Sequence, residues 1–198
     1  MKNEAISLAT KRRFSAALKA TLRTRPFEDI TVQQLLTTTG MARPTFYYHF
    51  DDLFGLLQWT FADEALSLLQ KDSDYTHWEE DVYQLLVYLA NNADLYANFY
   101  ANITLEQIQA IFCTPMLKIL NGYIQAVITA RQLTVSPATQ QFVAEFFVGG
   151  FVSVLVRWLK AGLPESPAAL RQQLHETMDQ IIIQVLEKAN KTGNLSDV

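Results

Sequence analysis

The sequence predicts an all-α protein, and three observations lead there. Long stretches read as Ala, Leu, Gln, Ile and Phe, with apolar residues at helical spacing and no β-type alternation. Glycines and prolines are few, seven and six among 198 residues, so long elements can run unbroken. Apolar residues make up 49% and charged residues 18%, which gives a sizeable core and argues against disorder.

Taken in order, the first helix is expected from near Glu4 to Thr24. Phe14, Ala17/Leu18 and Thr21/Leu22 form its inner stripe, with Lys11, Arg12, Lys19 and Arg23 off that face. "RPFED" ends it, because Pro26 disfavours helix at the residue before. The second helix carries a start signal: Thr31 as N-cap, Gln34 completing a capping box, and Ile30 with Leu35 as a hydrophobic staple. Gly40 supplies a turn residue able to take positive φ. Ala42 or Arg43 then opens a third helix with Pro44 in its first turn, where a missing N–H does no harm. Further helices are expected at about 52–72, 76–92, 94–102, 104–131, 138–161 and 167–190, about nine in all. Pro115 should kink or split the fourth of these.

Charge divides the chain unevenly. Residues 1–50 hold eight Lys/Arg and three acids, a net +5, and residues 51–198 hold eight bases and seventeen acids, a net −9. A basic head on an acidic body suggests an anionic partner at one end only. The expected division is therefore a helix-turn-helix domain over residues 1–50 and a larger helical domain over 51–198.

The third helix sharpens this. Phe46 and Phe50, four apart, share a face that should anchor the helix on a small core. Arg43/Tyr47, Pro44/Tyr48 and Thr45/His49 are left as outward pairs. Arg43 is the expected base reader, since a guanidinium binds guanine O6/N7 in bidentate fashion. Tyr48 and Pro44 can pack on thymine methyls or sugars, and Thr45, Tyr47 and His49 suit phosphate oxygens. Thr31 and Gln33 lie at a helix N-terminus that can hold a further phosphate. Lys11 and Arg12 add charge nearby. A half-buried surface patch is the competing explanation for such aromatics, but it does not account for the capping box, turn glycine, proline start and local charge together.

The residues "TV..LL...GMARPTFYYHF...F.LL", preceded by the aromatic turn "PF" at 26–27, resemble the TetR/AcrR family of bacterial transcriptional regulators over about 45 residues. The stretch "FFVGGFVSVLVRWLKAGLPESPAAL" is similar to the last helix pair of one subgroup of that family. The resemblance implies a DNA-binding head, a ligand-binding and dimerisation body, and a regulator, expected to be a ligand-responsive repressor on a palindromic operator. Three positions depart from the family pattern. Leu53 stands where a phosphate-binding lysine is usual, Ala42 where a serine cap is common, and Leu36 where a small residue is usual.

A dimer is expected because one head reads half a site, and two heads must lie about 34 Å apart or a multiple of it. Candidate dimer residues are Phe142, Phe146, Gly149, Gly150, Ser153 and Val156 in one long helix, and Leu170, Leu174, Met178, Ile181, Ile182 and Val185 in the last. The resemblance also implies a pocket for a small apolar or aromatic effector, with Trp59, Trp78, Tyr88, Tyr96, Phe99, Tyr100, Phe112 and Tyr123 as candidate lining.

An enzyme finds little support. His49, His77 and His175 are scattered, without metal-ligand spacing, and there is no phosphate loop or nucleophile elbow. "WEED" at 78–81 is a carboxylate cluster, read as decorating the solvent side of a helix or its N-terminal turn. No catalytic residue, metal or cofactor is expected. A helical protein of the same fold acting through another protein is the alternative. Cys113 is the only cysteine, so no disulfide can form within the chain, and "MKNEAISLATKRR" has no signal-type apolar stretch. The most apolar run, 146–156, is too short for a span of about 20 residues. A cytoplasmic protein without membrane contact is expected.

Overall fold

The computed structural model describes residues 2–70, 78–100, 104–178 and 181–192, and these are helical with no strand among them. Helix α1 (Lys2–Leu22) buries Phe14, Ala17, Leu18 and Leu22, the stripe expected from spacing. A single 3-10 turn, Phe27–Asp29, follows Pro26 and leads to α2 (Val32–Thr39). There the capping box is complete: Gln34 N–H donates to Thr31 Oγ1 at 3.3 Å, and Thr31 N–H to Gln34 Oε1 at 2.8 Å. Gly40 closes α2 at φ 68°, where any other residue would be strained.

Helix α3 (Arg43–His49) begins at Ala42, which gives no side-chain cap, and carries Pro44 in its first turn. Asp52 caps α4 (Leu53–Glu64), accepting from Gly55 N–H at 2.7 Å. The acidic corner after α3 thus serves the next helix directly. The helix expected to reach residue 72 stops at Glu64 and tightens into a 3-10 segment, Leu66–Gln70, with Ala65 and Leu66 in the core.

The body continues with α5 (Trp78–Asn91), whose first turn holds Glu79, Glu80 and Asp81, and α6 (Ala93–Tyr100). A short α7 (Leu105–Ile108) runs into one π-helical turn (Gln109–Cys113) and then α8 (Thr114–Arg131). Pro115 explains that turn. It cannot donate to the carbonyl four residues back, and the ladder slips so that Thr114 N–H bonds Gln109 O. The expected break is absorbed without ending the rod.

Helix α9 (Pro137–Lys160) starts on a Ser136 cap and buries ten residues along one side. It and the Leu105–Arg131 rod are apolar and long enough to cross a membrane by length and composition, but half of the most apolar window of α9 is buried inside the chain. The last expected helix is described in two stretches, α10 (Pro167–Met178) and α11 (Ile181–Thr192), on either side of residues 179 and 180, which lie outside the described residues.

One core runs without a break from Phe14 and Phe46 through α4 to Trp158, Leu170 and Leu174. A second, smaller one joins α8, α9 and α11 around Ile124, Val143 and Leu186. The basic N-terminal helices therefore share their packing with the body through α4.

Candidate nucleic-acid interface

Aromatic packing holds α3 in place. The rings of Phe46 and Phe50 meet Phe14 of α1 edge-on, with centroids 5.3 and 6.4 Å apart, and they pack on each other at 5.7 Å. Phe46 is fully buried and Phe50 nearly so. The opposite side faces solvent: Tyr48 is 82% exposed and Tyr47 46%, with Arg43 and Pro44 exposed beside them and Thr45 and His49 half-buried.

Arg43 is pre-positioned. Its guanidinium donates to Tyr47 Oη at 3.3 Å and lies 5.4 Å from the Tyr47 ring centre. Stacking of this kind limits the rotamers the arginine samples without consuming its remaining donors. Tyr48 and His49 meet edge-on at 5.0 Å. Partial burial, and then the Lys11 ammonium, lower the His49 pKa below its usual value, so the imidazole is neutral at pH 7. As a neutral ring it can donate one N–H or accept, but it adds no charge.

The other expected contacts are placed less freely. Thr31 and Gln33 are exposed at the start of α2, with the Thr31 hydroxyl already engaged in the cap. Lys11 lies over two rings, 5.8 Å from Phe50 and 5.6 Å from Trp59. Arg12 Nε pairs with Asp63 Oδ2 at 3.1 Å, although its side chain remains 61% exposed. Leu53 is half-buried against the core, an apolar use of the position where the family carries lysine. Arg13 was missed by sequence reading. Its guanidinium donates to Thr39 O at 2.9 Å, satisfying the last turn of α2 where a cation also suits the helix dipole.

Besides the Arg12–Asp63 pair, further ties bind this unit to the body. Glu64 of α4 accepts from Lys19 Nζ at 2.6 Å, from Tyr88 Oη of α5 at 2.7 Å and from Ser15 Oγ at 3.4 Å. Burial and the Glu64 bond push the Tyr88 hydroxyl pKa well up, so it stays a donor. Arg23 pairs with Asp94 and Asn92, and Asn98 Nδ2 donates to Leu22 O at 2.8 Å.

Five of the aromatics expected to line an effector pocket have described side chains. Tyr96 and Phe112 are buried in the first core, where Phe112 packs 4.6 Å from Phe61 and Tyr96 6.3 Å from it. Tyr88 belongs to the Glu64 tie. Trp59 packs on Phe50 at 6.1 Å, at the junction of head and body. Tyr123 is half-buried against the second core. The side chains of Trp78, Phe99 and Tyr100 lie outside the described residues. The burial of Tyr96 and Phe112 has a physical reason: large rings gain most where both faces are covered, and Phe61 packs against both.

A hollow among the described residues of the body lies between the α7/π-turn segment and the C-terminal half of α9. This groove of about 650 Å³ is walled by Leu105, Ile108, Gln109 and Cys113 on one side, and by Gly149, Val152, Ser153, Val156, Arg157, Lys160 and Ala161 on the other. Burial pushes the Cys113 thiol pKa up, which disfavours the thiolate.

Among the expected dimer residues, Phe142, Phe146, Gly149, Gly150 and Ser153 form an exposed stripe on α9. Phe142 and Phe146 stack on each other, 61% and 68% exposed. A Cβ added at Gly149 or Gly150 would meet nothing within 4 Å, so nothing in this chain requires glycine there. Each costs roughly 1 kcal/mol against alanine inside a helix. Ile181 is partly exposed and Val185 half-buried on α11. Leu170, Leu174 and Ile182 are buried in the chain's own cores, the first two where α10 packs on α5, and Val156 is buried along the wall of the groove. Met178's side chain is outside the described residues.

Residues 76–197 match a TetR-type family model described as "Transcriptional regulator C-terminal region". The chain belongs to the TetR family of transcriptional regulators. This TetR-family chain is 29% identical over 94 residues to the "HTH-type dhaKLM operon transcriptional activator DhaS" of Lactococcus lactis subsp. lactis (strain IL1403), 48% of this chain and 50% of that protein. It thus spans about half the length of the curated relative it matches. A solved structure, "Dihydroxyacetone kinase operon activator DhaS", superposes at a TM-score of 0.58 and 21% identity, covering 93% of this chain and 97% of that one. That likeness concerns the fold. The relatives are regulators, and among the described residues no group of three or more His, Cys, Asp and Glu could hold a metal.

Proposed function

We propose that this chain is a sequence-specific DNA-binding regulator of the cytoplasm, in which residues 1–50 form the reading head and two copies address a palindromic duplex. One observation carries the reading: α3 is pinned by buried Phe46 and Phe50 while Arg43, Tyr47 and Tyr48 face solvent in the chain's +5 region. A helix of this kind enters a major groove with its first residues at base edges and its tyrosines along the backbone. The exposed α9 stripe is the proposed contact between copies. A small apolar or aromatic effector that fits one spacing of the heads better than another would shift DNA affinity by about 1–3 kcal/mol.

Selection of binding sites from random duplex DNA with purified protein tests this reading. An inverted repeat is expected, and Arg43→Ala should cost about 1–3 kcal/mol and relax one base position. Recovery of no shared sequence would overturn direct readout and leave action through another protein. The relative above bears the name of an activator. A reporter with the selected site placed upstream of, or overlapping, a promoter reads the sign of regulation.

A further inference from the structure

We infer that the effector is a straight-chain aliphatic acid, held in the groove between α7 and the C-terminal half of α9 with its carboxylate at Arg157 and Lys160. The inference rests on the ligand-responsive reading above and adds the site and the chemical class.

Charge singles this hollow out. Residues 51–198 carry a net −9, yet no Asp or Glu lines the groove, and the two charged groups that do are both cations. Arg157 and Lys160, three apart and so on one side of α9, make no ion pair among the described residues. Neither is needed to finish the helix. The carbonyls of Arg157, Trp158 and Leu159 already accept from the N–H groups of Ala161, Leu163 and Gly162, at 2.9, 3.0 and 3.1 Å. Two such cations beside an apolar hollow suit one carboxylate, whose oxygens can accept a charge-assisted hydrogen bond from each.

The other wall residues define the rest of the molecule. Leu105, Ile108, Val152 and Val156 are aliphatic, and no aromatic ring lines the groove. Leu105 is 70% exposed, so a bound tail would cover apolar surface that now faces water. From Gly149 to Val156 the apolar part runs about 11 Å at 1.5 Å per residue, room for a chain of roughly eight to ten carbons. The groove's volume of about 650 Å³ is that of a small-molecule site.

The wall opposite α9 links the groove to the head. Gln109 and Cys113 of the π turn line it, while Phe112 of the same turn packs 4.6 Å from Phe61 of α4, the helix that follows α3. An occupant that displaces the turn therefore bears on α4. Single π turns recur at functional sites for this reason, since their ladder is already out of register.

Calorimetric titration of the purified protein with decanoate, decanol and acetate tests the inference. Affinity should rise about threefold for each methylene added from hexanoate to decanoate. Decanol, without the charge, and acetate, without the tail, should each bind at least about tenfold more weakly than decanoate. Arg157→Gln combined with Lys160→Gln, both exposed positions, should keep the fold and weaken decanoate about tenfold while leaving decanol unchanged. Cys113 is the only cysteine, so saturating decanoate should slow its alkylation several-fold. Decanoate should also change affinity for the selected duplex by about fivefold or more. An acid that does not bind, or binds without regard to the two cations or without protecting Cys113, overturns the site. Binding that leaves affinity for the duplex unchanged overturns the effector role. Failure of the DNA reading shows separately, as the absence of any selected sequence, and the acid site then stands or falls on the titration and the Cys113 protection.

Discussion

Replacing Glu64 by alanine should loosen the attachment of the basic head to the body. The carboxylate is shared by Lys19 and Ser15 of α1 and Tyr88 of α5, at 2.6, 3.4 and 2.7 Å. The Lys19 and Glu64 side chains are each 26% exposed, so the pair lies between two limits. A fully solvated pair contributes about 1 kcal/mol or less, and unpairing a sealed one costs about 3–5 kcal/mol. Screening by the remaining water places the charge part near 1 kcal/mol, and the Tyr88 bond adds about 1 kcal/mol, so Glu64→Ala should lose about 2 kcal/mol. Glu64→Gln keeps an acceptor for Tyr88 and should lose about half as much. Urea unfolding of Glu64→Ala, Lys19→Met and the double variant gives the coupling, expected at about 1 kcal/mol. A coupling below about 0.3 kcal/mol with unchanged m values would show that the bridge holds nothing, and the reasoning would be refuted.

Three further outcomes are expected. Thr31→Val removes the cap of α2 and should cost about 1 kcal/mol in urea unfolding, while Thr37→Val, on an exposed turn of the same helix, should change little. Because the His49 pKa is lowered in the free protein, its stability contribution is present above the ordinary histidine value and lost as pH falls through the lowered one. A phosphate at that ring would favour the charged form, so DNA affinity should rise several-fold from about pH 7.5 to 5.5, and His49→Gln should abolish the rise. Tyr47→Phe keeps the ring under Arg43 but not the hydroxyl acceptor, so it should weaken specific binding less than Tyr47→Ala in a fluorescence titration.

How much the sequence disclosed depended on how far apart the partners lie. The capping box at Thr31, the Gly40 turn and the inward faces that carry Phe14 on α1 and Phe46 and Phe50 on α3 could be read because each follows from spacing within an element. The Glu64 tie could not, since its partners stand 24, 45 and 49 residues away and a lone Glu at a helix end looks like any solvated acid. Arg13 looked like one more base in a basic stretch; only the fold brings it to Thr39 O.

The body shows the same limit in its aromatics. Periodicity tells which residues share a helix face, and when both faces are apolar it cannot tell which face meets its own chain. Phe112 and Phe146 are both phenylalanines on long apolar helices, yet one is 1% exposed and the other 68%. The difference comes from the neighbours. Phe112 lies where the π turn on the way to Pro115 brings it against Phe61, whereas Phe146 stands on the face of α9 that no other described helix covers. The glycines separate the two cases on physical grounds. At Gly149 and Gly150 a Cβ would meet nothing within 4 Å, so the packing of the described residues does not account for glycine on that side of α9.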